Sequence, residues 1–559
     1  MHIGIDVGGT HTDGVLIHQD QVVATAKEPT GELLESITTV LRTLVAEAHG
    51  APIDSINLST TLSTNAIVTG SVEPVAVFVI PGPGLPPETY RIGDPYICLP
   101  GAIDHRGTVT GRLRDRDVAP HVAQCKAQGI TAYAVVGKFS TRNPEHELFV
   151  ADILRPQAQV LSLGHRVSEQ LNFGRRIATT YYNSAAWRTF NRFATALEGA
   201  LQDLGVQTEV NIVKADGGTM PLRLAREVPV QSIFSGPAAS VMGILAAAPH
   251  KEDAVLLDIG GTTTDIALLL DGEPLLERDG ITLAGHPTLV RALQVTSIGL
   301  GGDSAVRLEH GHFRIGPDRL GPCMAAGGPA PALMDAVNVL GFAQFGDVDK
   351  SHAAIRELAM RQGSSVRECA RQIVDTAMGI LARAVGEFLA EVNARPVYTI
   401  QEILQERRLT PKRALAIGGP AQALAPLLES ALELPVTVPA YSPVANAVGA
   451  CLTRPTQGVV LTVDTARGRF TAPGLGAVKT VPRTYTLEEA VAEARALLEE
   501  ELRRQGIAAN PDDIQVLQAQ SYNMVENNVT IGRNIRVRCQ LRPGVRTTLA
   551  ISGDHHASR

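Results

Sequence analysis

One short pattern occurs twice in this chain and limits its architecture more than any bulk property. Residues 3–17 read IGIDVGGTHTDGVLI and residues 255–269 read VLLDIGGTTTDIALL. Aligned without gaps, they share Asp6/Asp258, Gly8/Gly260, Gly9/Gly261, Thr10/Thr262, Thr12/Thr264, Asp13/Asp265 and Leu16/Leu268. Apolar, β-forming residues precede the glycines and return after the second Asp. Each copy therefore predicts a strand, a tight Gly-Gly turn and an antiparallel return strand. Copies so far apart cannot be adjacent turns of a solenoid. They predict two pseudo-equivalent domains, each contributing one loop. The length of 559 residues agrees, because single cores stop growing near about 250–300 residues.

Further glycine pairs follow the same logic. ALAIGGPAQALAPLLESAL (414–432) reads as a strand, a turn at Gly418 and Gly419, and a helix. SIGLGGDSAV (297–306) supplies Gly301, Gly302 and Asp303, and EVNIVKADGG (209–218) ends a strand near Asp216. Helical spacing predicts helices over 31–50, 173–205, 333–345, 365–394 and 399–407. SGPAASVMGILAAA (235–248) and YSPVANAVGACL (441–452) read as helices of small residues, the first with Ser235 as N-cap and Pro237 in its first turn. Beyond about 455 the character changes. Residues 486–506 form an amphipathic helix pattern with a Thr486/Glu489 capping box and a Gly506 stop, and NIRVRCQL alternates as a strand. The closing DHHASR reads as a frayed tail.

Composition removes several function classes. Hydrophobic residues make up 44% and charged residues 19%, enough to bury cores and too few charges for global disorder. Aromatics are 4%, with Trp187 the single tryptophan, which argues against stacking platforms for single-stranded nucleic acid. The net charge of −7 gives no basic footprint for nucleic acid or anionic lipid. Six scattered cysteines without a CxxC pair read as reduced thiols. The N-terminus runs directly into a strand pattern, with no basic and apolar leader and no membrane-length apolar run. A cytoplasmic protein is the expectation.

The chemistry lies in the paired turns. Gly8, Gly9, Gly260 and Gly261 let backbone N–H groups approach a ligand without Cβ obstruction, which suits phosphate. Thr10, Thr12, Thr262 and Thr263 add hydroxyls. Asp6 and Asp258 end the strands before each turn. Two carboxylates facing phosphates call for a divalent cation between them, and Mg²⁺ suits oxygen ligands. Both are catalytic and metal-ligand candidates. Gly418 and Gly419 allow a flat adenosine to lie on backbone, with ATP clasped between lobes. For Asp303 two readings stand open, contact with ribose or metal and a plain turn. Two also stand for Asp216, a catalytic base and a turn cap. HGH (310–312) reads as solvated rather than metal-binding, and the aromatics of YNSAAWRTFNRF as packing.

DVGGTHTD, DIGGTTTD and AIGGPA, in that order, resemble the two phosphate motifs and the adenosine motif of the actin, heat-shock chaperone and sugar-kinase ATPases. Within that superfamily the chain resembles the hydantoinase A / 5-oxoprolinase family, which includes the acetone carboxylase beta subunit. STTLSTNAIVTG, NPEHE, GRRIATTYYNSA, ADGG, SGPAASVMG, DIGGTTTDIALLLDG, GGDS and VANAVGA carry the likeness across roughly residues 1–455.

The resemblance implies an α/β fold of two ribonuclease H-like (actin-like ATPase) lobes, with an inserted β-rich segment and a small C-terminal α+β module. The boundaries follow as 1–250, with the insertion at about 74–205, then 251–455 and 456–559. It implies an ATP-dependent enzyme that phosphorylates the carbonyl oxygen of a cyclic amide or imide so that water can open the ring. A hydantoinase B-like second subunit and an oligomer are implied partners, and ATP and Mg²⁺ the cofactors. A small-molecule kinase and a carboxylase subunit or ATP-driven activator are the alternatives. The kinase reading is weakened at FSGPAAS, where sugar kinases keep a carboxylate base and this chain has none. The chain departs from the family at His11, where many members have Phe, at GGDS in place of GGGS, and in its shorter C-terminal part.

Overall fold

The computed structural model describes residues 1–84, 86–277, 279–394 and 408–550. The helix expected over 399–407 and the DHHASR tail lie outside the described residues.

The first lobe is built on a six-stranded sheet. Its order is Thr219–Pro221, Glu209–Val213, Ser55–Thr60, His2–Val7, His11–His18 and Gln21–Pro29. His2–Val7, Ser55–Thr60 and Glu209–Val213 run parallel, while His11–His18 returns antiparallel. The second lobe repeats this plan. Ala254–Ile259 is central, paired antiparallel with Thr264–Leu270 and parallel with Arg413–Ile417, which in turn lies parallel to Val436–Thr437. Both copies of the sequence repeat therefore occupy the same place in equivalent sheets. This is the ribonuclease H-like order with its antiparallel second strand, and parallel sheets of this kind carry sites beyond their carboxyl ends.

The inserted segment is more regular than its Pro- and Gly-rich start suggests. Val160–Leu163, Ala132–Gly137, Val75–Ile80 and Tyr96–Cys98 form a four-stranded, all-parallel sheet. Parallel strands are covered on both faces, and two apolar clusters flank this sheet. The helix Phe173–Asp203 ties the insertion to the first lobe. Ile177, Tyr182 and Ala185 enter the insertion core, and Phe190, Phe193 and Leu197 enter the lobe core. The aromatics of that helix are packing residues, as expected.

The C-terminal part is a five-stranded antiparallel sheet with the helix Leu487–Arg504 laid on one face. The capping box is present: Glu489 N–H donates to Thr486 Oγ1 at 3.2 Å, and Thr486 N–H to Glu489 Oε2 at 2.7 Å. Six free cysteines are present, five of them buried. No helix is long and apolar enough to cross a membrane among the described residues.

The two helices of small residues, Ser235–Ala247 and Ala445–Leu452, lie between the lobes. A Cβ on Gly243 would stand 2.0 Å from Ala445 O, and one on Gly449 would stand 1.9 Å from Ala239 O. Glycine at these positions is what lets the two backbones touch. Ser235 is not the N-cap of its helix; Phe234 takes that position in a left-handed conformation. The reason is tertiary: Ser235 Oγ donates to Thr60 O at 2.9 Å and accepts from Thr60 N at 3.1 Å, so it closes the end of a strand instead.

Candidate functional site

The two hairpins have the same local geometry. Gly8 N–H donates to His11 O at 3.0 Å and Gly260 N–H to Thr263 O at 2.9 Å. In register, Asp6 faces Asp13 and Asp258 faces Asp265. The aspartates of the two lobes converge on the paired helices. Asp258 accepts from Ser240 Oγ at 2.5 Å and from Asn446 Nδ2 at 3.1 Å. Asn446 and Ser59 also act on the Asp6 carboxyl, pulling its pKa down against burial. One amide thus acts on the carboxylates of both lobes.

Electrostatics confirm the convergence. Burial, with Asp13 and Asp258 adding repulsion, pushes Asp6 up to about 7 against the pull of Ser59 and Asn446. Burial also raises Asp258, and burial together with Asp258 pushes Asp265 up to about 6. Among the described residues, Lys27 is the cation paired with this group, its Nζ 2.9 Å from Asp13 Oδ1. Buried carboxylates crowded this way are short of positive charge. Among the described residues no three His, Cys, Asp or Glu side chains form a metal cage. Mg²⁺ does not need one, since it keeps several waters and is commonly held by one or two carboxylates together with phosphate oxygens. Asp6 and Asp258 fit that role.

The turn at Gly418 and Gly419 and the turn at residues 301–303 brace the second hairpin. Gly418, at φ +97°, would place a Cβ 2.2 Å from Ile259 O and 3.2 Å from Asp258 Oδ1. Gly302 N–H donates to Gly260 O at 3.0 Å and Asp303 N–H to Gly261 O at 2.7 Å. A Cβ on Gly301 would stand 2.6 Å from Gly260 O and from Gly261 O. Gly419 has open space at its Cβ position.

Several sequence candidates fall elsewhere. Thr12 is fully buried, with its hydroxyl spent on Ser36 at 3.0 Å and Thr30 at 3.3 Å, so it locks the hairpin to the helix behind it. Thr264, its counterpart, does the same with Leu300 O at 2.7 Å. Thr10, Thr262 and Thr263 keep the loop faces. Asp303 is engaged as a brace: Oδ2 accepts from Arg319 Nη2 at 3.0 Å and Nε at 3.2 Å, and Oδ1 from Cys323 N at 2.9 Å. Burial, Lys27 and Arg319 hold His11 below its ordinary value. Arg319, which pairs with Asp303 of the second lobe, is thus felt electrostatically at the first hairpin. Asp216 stands apart from the four aspartates. It lies 3.2 Å from Lys214 Nζ and accepts from Gly218 N at 3.1 Å and Thr456 Oγ1 at 3.0 Å. Burial would raise it, but Lys214 and Arg291 outweigh that and hold it low. His310 and His312 are exposed at a hairpin end.

Sequence reasoning assigned no role to Ser240, Asn446 or Arg319. The available signal was a polar side chain inside each helix of otherwise small, apolar residues.

A family profile described as hydantoinase/oxoprolinase matches residues 176–459, and its N-terminal-region profile matches residues 2–158. The chain belongs to the hydantoinase/oxoprolinase family. Relatives include the caprolactamase alpha subunit of Pseudomonas jessenii, 27% identical over 75% of this chain and 64% of that protein. Another is the 5-oxoprolinase of Saccharomyces cerevisiae, 24% identical over 59% of this chain and 30% of that protein. The chain thus spans less than two thirds of the length of these relatives. Two solved structures among those matched share the fold. The ATP-dependent caprolactamase from Pseudomonas jessenii has a TM-score of 0.73 at 20% identity, over 96% of this chain and 87% of that one. Nucleotide-free acetone carboxylase has a TM-score of 0.68 at 17% identity, over 98% of this chain and 88% of that one.

Proposed function

We propose that this member of the hydantoinase/oxoprolinase family uses ATP to phosphorylate the carbonyl oxygen of a cyclic amide or imide and so prepares the ring for opening by water. The observation that carries the reading is the convergence of Asp6 and Asp258 from opposite lobes on Asn446, behind two Gly-Gly turns. Gly8 and Gly260 spend their N–H groups closing the turns, so the backbone N–H groups of Gly9 and Gly261, with Thr10, Thr262 and Thr263, receive the phosphates, while Gly418 and Gly419 take adenosine. Asp6 and Asp258 would hold Mg²⁺, which supplies positive charge against the phosphate oxygens. Asn446 and Ser240 orient the two carboxylates. The carbonyl oxygen attacks the terminal phosphorus and ADP leaves. Water then adds at the activated carbon, the ring C–N bond breaks as the nitrogen takes up a proton, and a second water cleaves the resulting acyl phosphate to carboxylate and free phosphate.

A carbonyl oxygen needs no deprotonation before it attacks, so the helix starting at Ser235, without an acidic residue in its first turn, suits it better than a hydroxyl. We further propose lobes at 1–250 and 251–455 with a module at 456–559, a cytoplasmic location, and an oligomer with a hydantoinase B-like chain. The relatives named as subunits support a partner. The likeness to acetone carboxylase supports a second reading, an ATP-driven carboxylase subunit.

The test is ATP hydrolysis by the full-length protein with Mg²⁺ and a panel of hydantoins, 5-oxoproline and lactams, with and without co-purified partners. Stimulation by a ring compound with release of its open-chain product is expected. Failure to bind Mg-ATP overturns the reading. Stimulation by a ketone with bicarbonate, and by no ring, selects the carboxylase.

A further inference from the structure

A cavity of about 290 Å³ lies away from the paired turns, where four parts of the chain meet. The end of the strand Glu209–Val213 supplies Lys214 and Asp216, and the insertion supplies Glu169. Arg291 comes from the second lobe's excursion, and Gly474 and Arg538 from the C-terminal module. The volume is at the lower end of small-molecule pockets.

The charges inside do not balance. Lys214 and Asp216 pair at 3.2 Å. Arg504 and Glu501 pair through two bonds of 2.9 and 2.6 Å. Arg166 and Glu227, of opposite sign, both stand at the exposed edge. Arg291, Arg538 and Glu169 remain. Neither guanidinium has a hydrogen bond or an ion pair within 4 Å among the described residues; they sense Asp216 and Glu169 only at longer range. Arg538 is also repelled by Arg291, which places the two guanidiniums near each other. Two half-buried cations against one carboxylate leave one positive charge uncompensated, an arrangement that favours a bound counter-ion.

The remaining carboxylate is held in place. Glu169 Oε2 accepts from Val460 N at 2.9 Å, and a Cβ at Gly474 would fall 1.5 Å from Glu169 Oε1. The absence of a side chain at Gly474 is what leaves room for that oxygen. Guanidinium forks match carboxylates in geometry as well as charge.

We propose that this cavity binds a small organic monocarboxylate, held by Arg291 and Arg538, with Glu169 accepting from an amino or amide group at the ligand's other end. The open-chain amino acid released by ring opening has this chemistry. That identification rests on the function proposed above; the carboxylate site rests on the cavity alone.

Titration calorimetry of the full-length protein without nucleotide, using butyrate and 4-aminobutyrate, tests it. Both should bind the wild type, 4-aminobutyrate about tenfold more tightly. Arg538→Met and Arg291→Met should each weaken both ligands at least tenfold, and Arg538→Lys by less, with unchanged melting temperature as the folding control. Glu169→Gln should tighten butyrate and erase the advantage of 4-aminobutyrate. Asp258→Asn should lose Mg-ATP binding and keep carboxylate binding. Competition between 4-aminobutyrate and the ring substrate marks a product site, and inhibition without competition marks an effector site; both support the proposal. A wild type that binds Mg-ATP and neither carboxylate overturns the proposal and leaves the function standing. Unchanged affinity in both Arg→Met variants also overturns it.

Discussion

The two Gly-Gly hairpins share a sequence and a backbone geometry but not their surroundings. The second is clamped: the 301–303 turn hydrogen-bonds Gly260 and Gly261, and Gly418 presses on the strand end before them. The first is held from its flank instead, where Thr30 N–H donates to Thr10 O at 2.9 Å and Thr30 Oγ1 to Gly8 O at 3.1 Å, and its tip is open, with no atom within 4 Å of a Cβ built on Gly9. The carboxylates that follow differ too. Asp13 pairs with Lys27, while Asp265 is served by the neutral Ser297 hydroxyl and is pushed up to about 6. One motif therefore yields a turn tip covered by a neighbouring loop in the second lobe and an open tip in the first.

The largest expected effect tests what the hairpins still have in common. Asp6→Asn and Asp258→Asn should each reduce Mg-dependent ATP hydrolysis by about 100-fold or more, on the order of 3 kcal/mol of transition-state stabilisation. Wild-type rates in both would break the assignment of a shared cation.

Next comes the contrast in bracing. Gly301→Ala drives a Cβ into the backbone of residues 260 and 261, and overpacking of this kind costs about 1–3 kcal/mol. Gly9→Ala meets nothing and should leave the melting temperature unchanged. Equal melting temperatures in the two variants would remove the distinction between covered and open tips.

A pH dependence sharpens the account of Asp6. Its folded value of about 7 exceeds the ordinary 3.8, so the native state keeps a proton that the unfolded chain releases between those values. Stability of the nucleotide-free protein should fall as pH rises from about 4 to 7, and Asp6→Asn should flatten that slope. Mg-ATP binding needs the ionised carboxylate, so its affinity should rise up to about tenfold per pH unit toward pH 7 and then level. Denaturation midpoints and binding isotherms across pH check both halves.

The smallest effect concerns the partners of Asp13 and Asp265. Lys27 is 46% exposed, so Lys27→Met should cost about 0.2–1 kcal/mol after solvent screening. Ser297→Ala should raise Asp265 further, readable by carboxyl NMR titration; no change there would show that the Ser297 hydroxyl does not hold this carboxylate.

Much of the site was legible in the chain because its signals are local. A Gly-Gly pair between alternating apolar runs specifies a hairpin wherever it occurs, and its repetition specified two equivalent sheets. The Thr486/Glu489 cap was equally readable, since both bonds span three residues. Thr12 and Ser235 show where local reading stops. Both look like loop or cap residues, yet Thr12 is spent on Ser36 and Ser235 on Thr60, and no propensity encodes a partner that only folding brings near. Asp303 is the same case, committed to Arg319 and to the Cys323 backbone.

The sequence alone determined that two lobes would each present a Gly-Gly turn with an aspartate behind it, because turn chemistry acts over a few bonds. The tertiary structure alone decided that those aspartates meet. That outcome depends on Gly243 and Gly449, which let two helices touch and bring Ser240 and Asn446 to the carboxylates. It also decided that Arg291, Arg538 and Glu169, from three distant segments, would share one cavity. Electrostatic and steric contacts of this kind depend on distance in space, which the order of residues along the chain does not express.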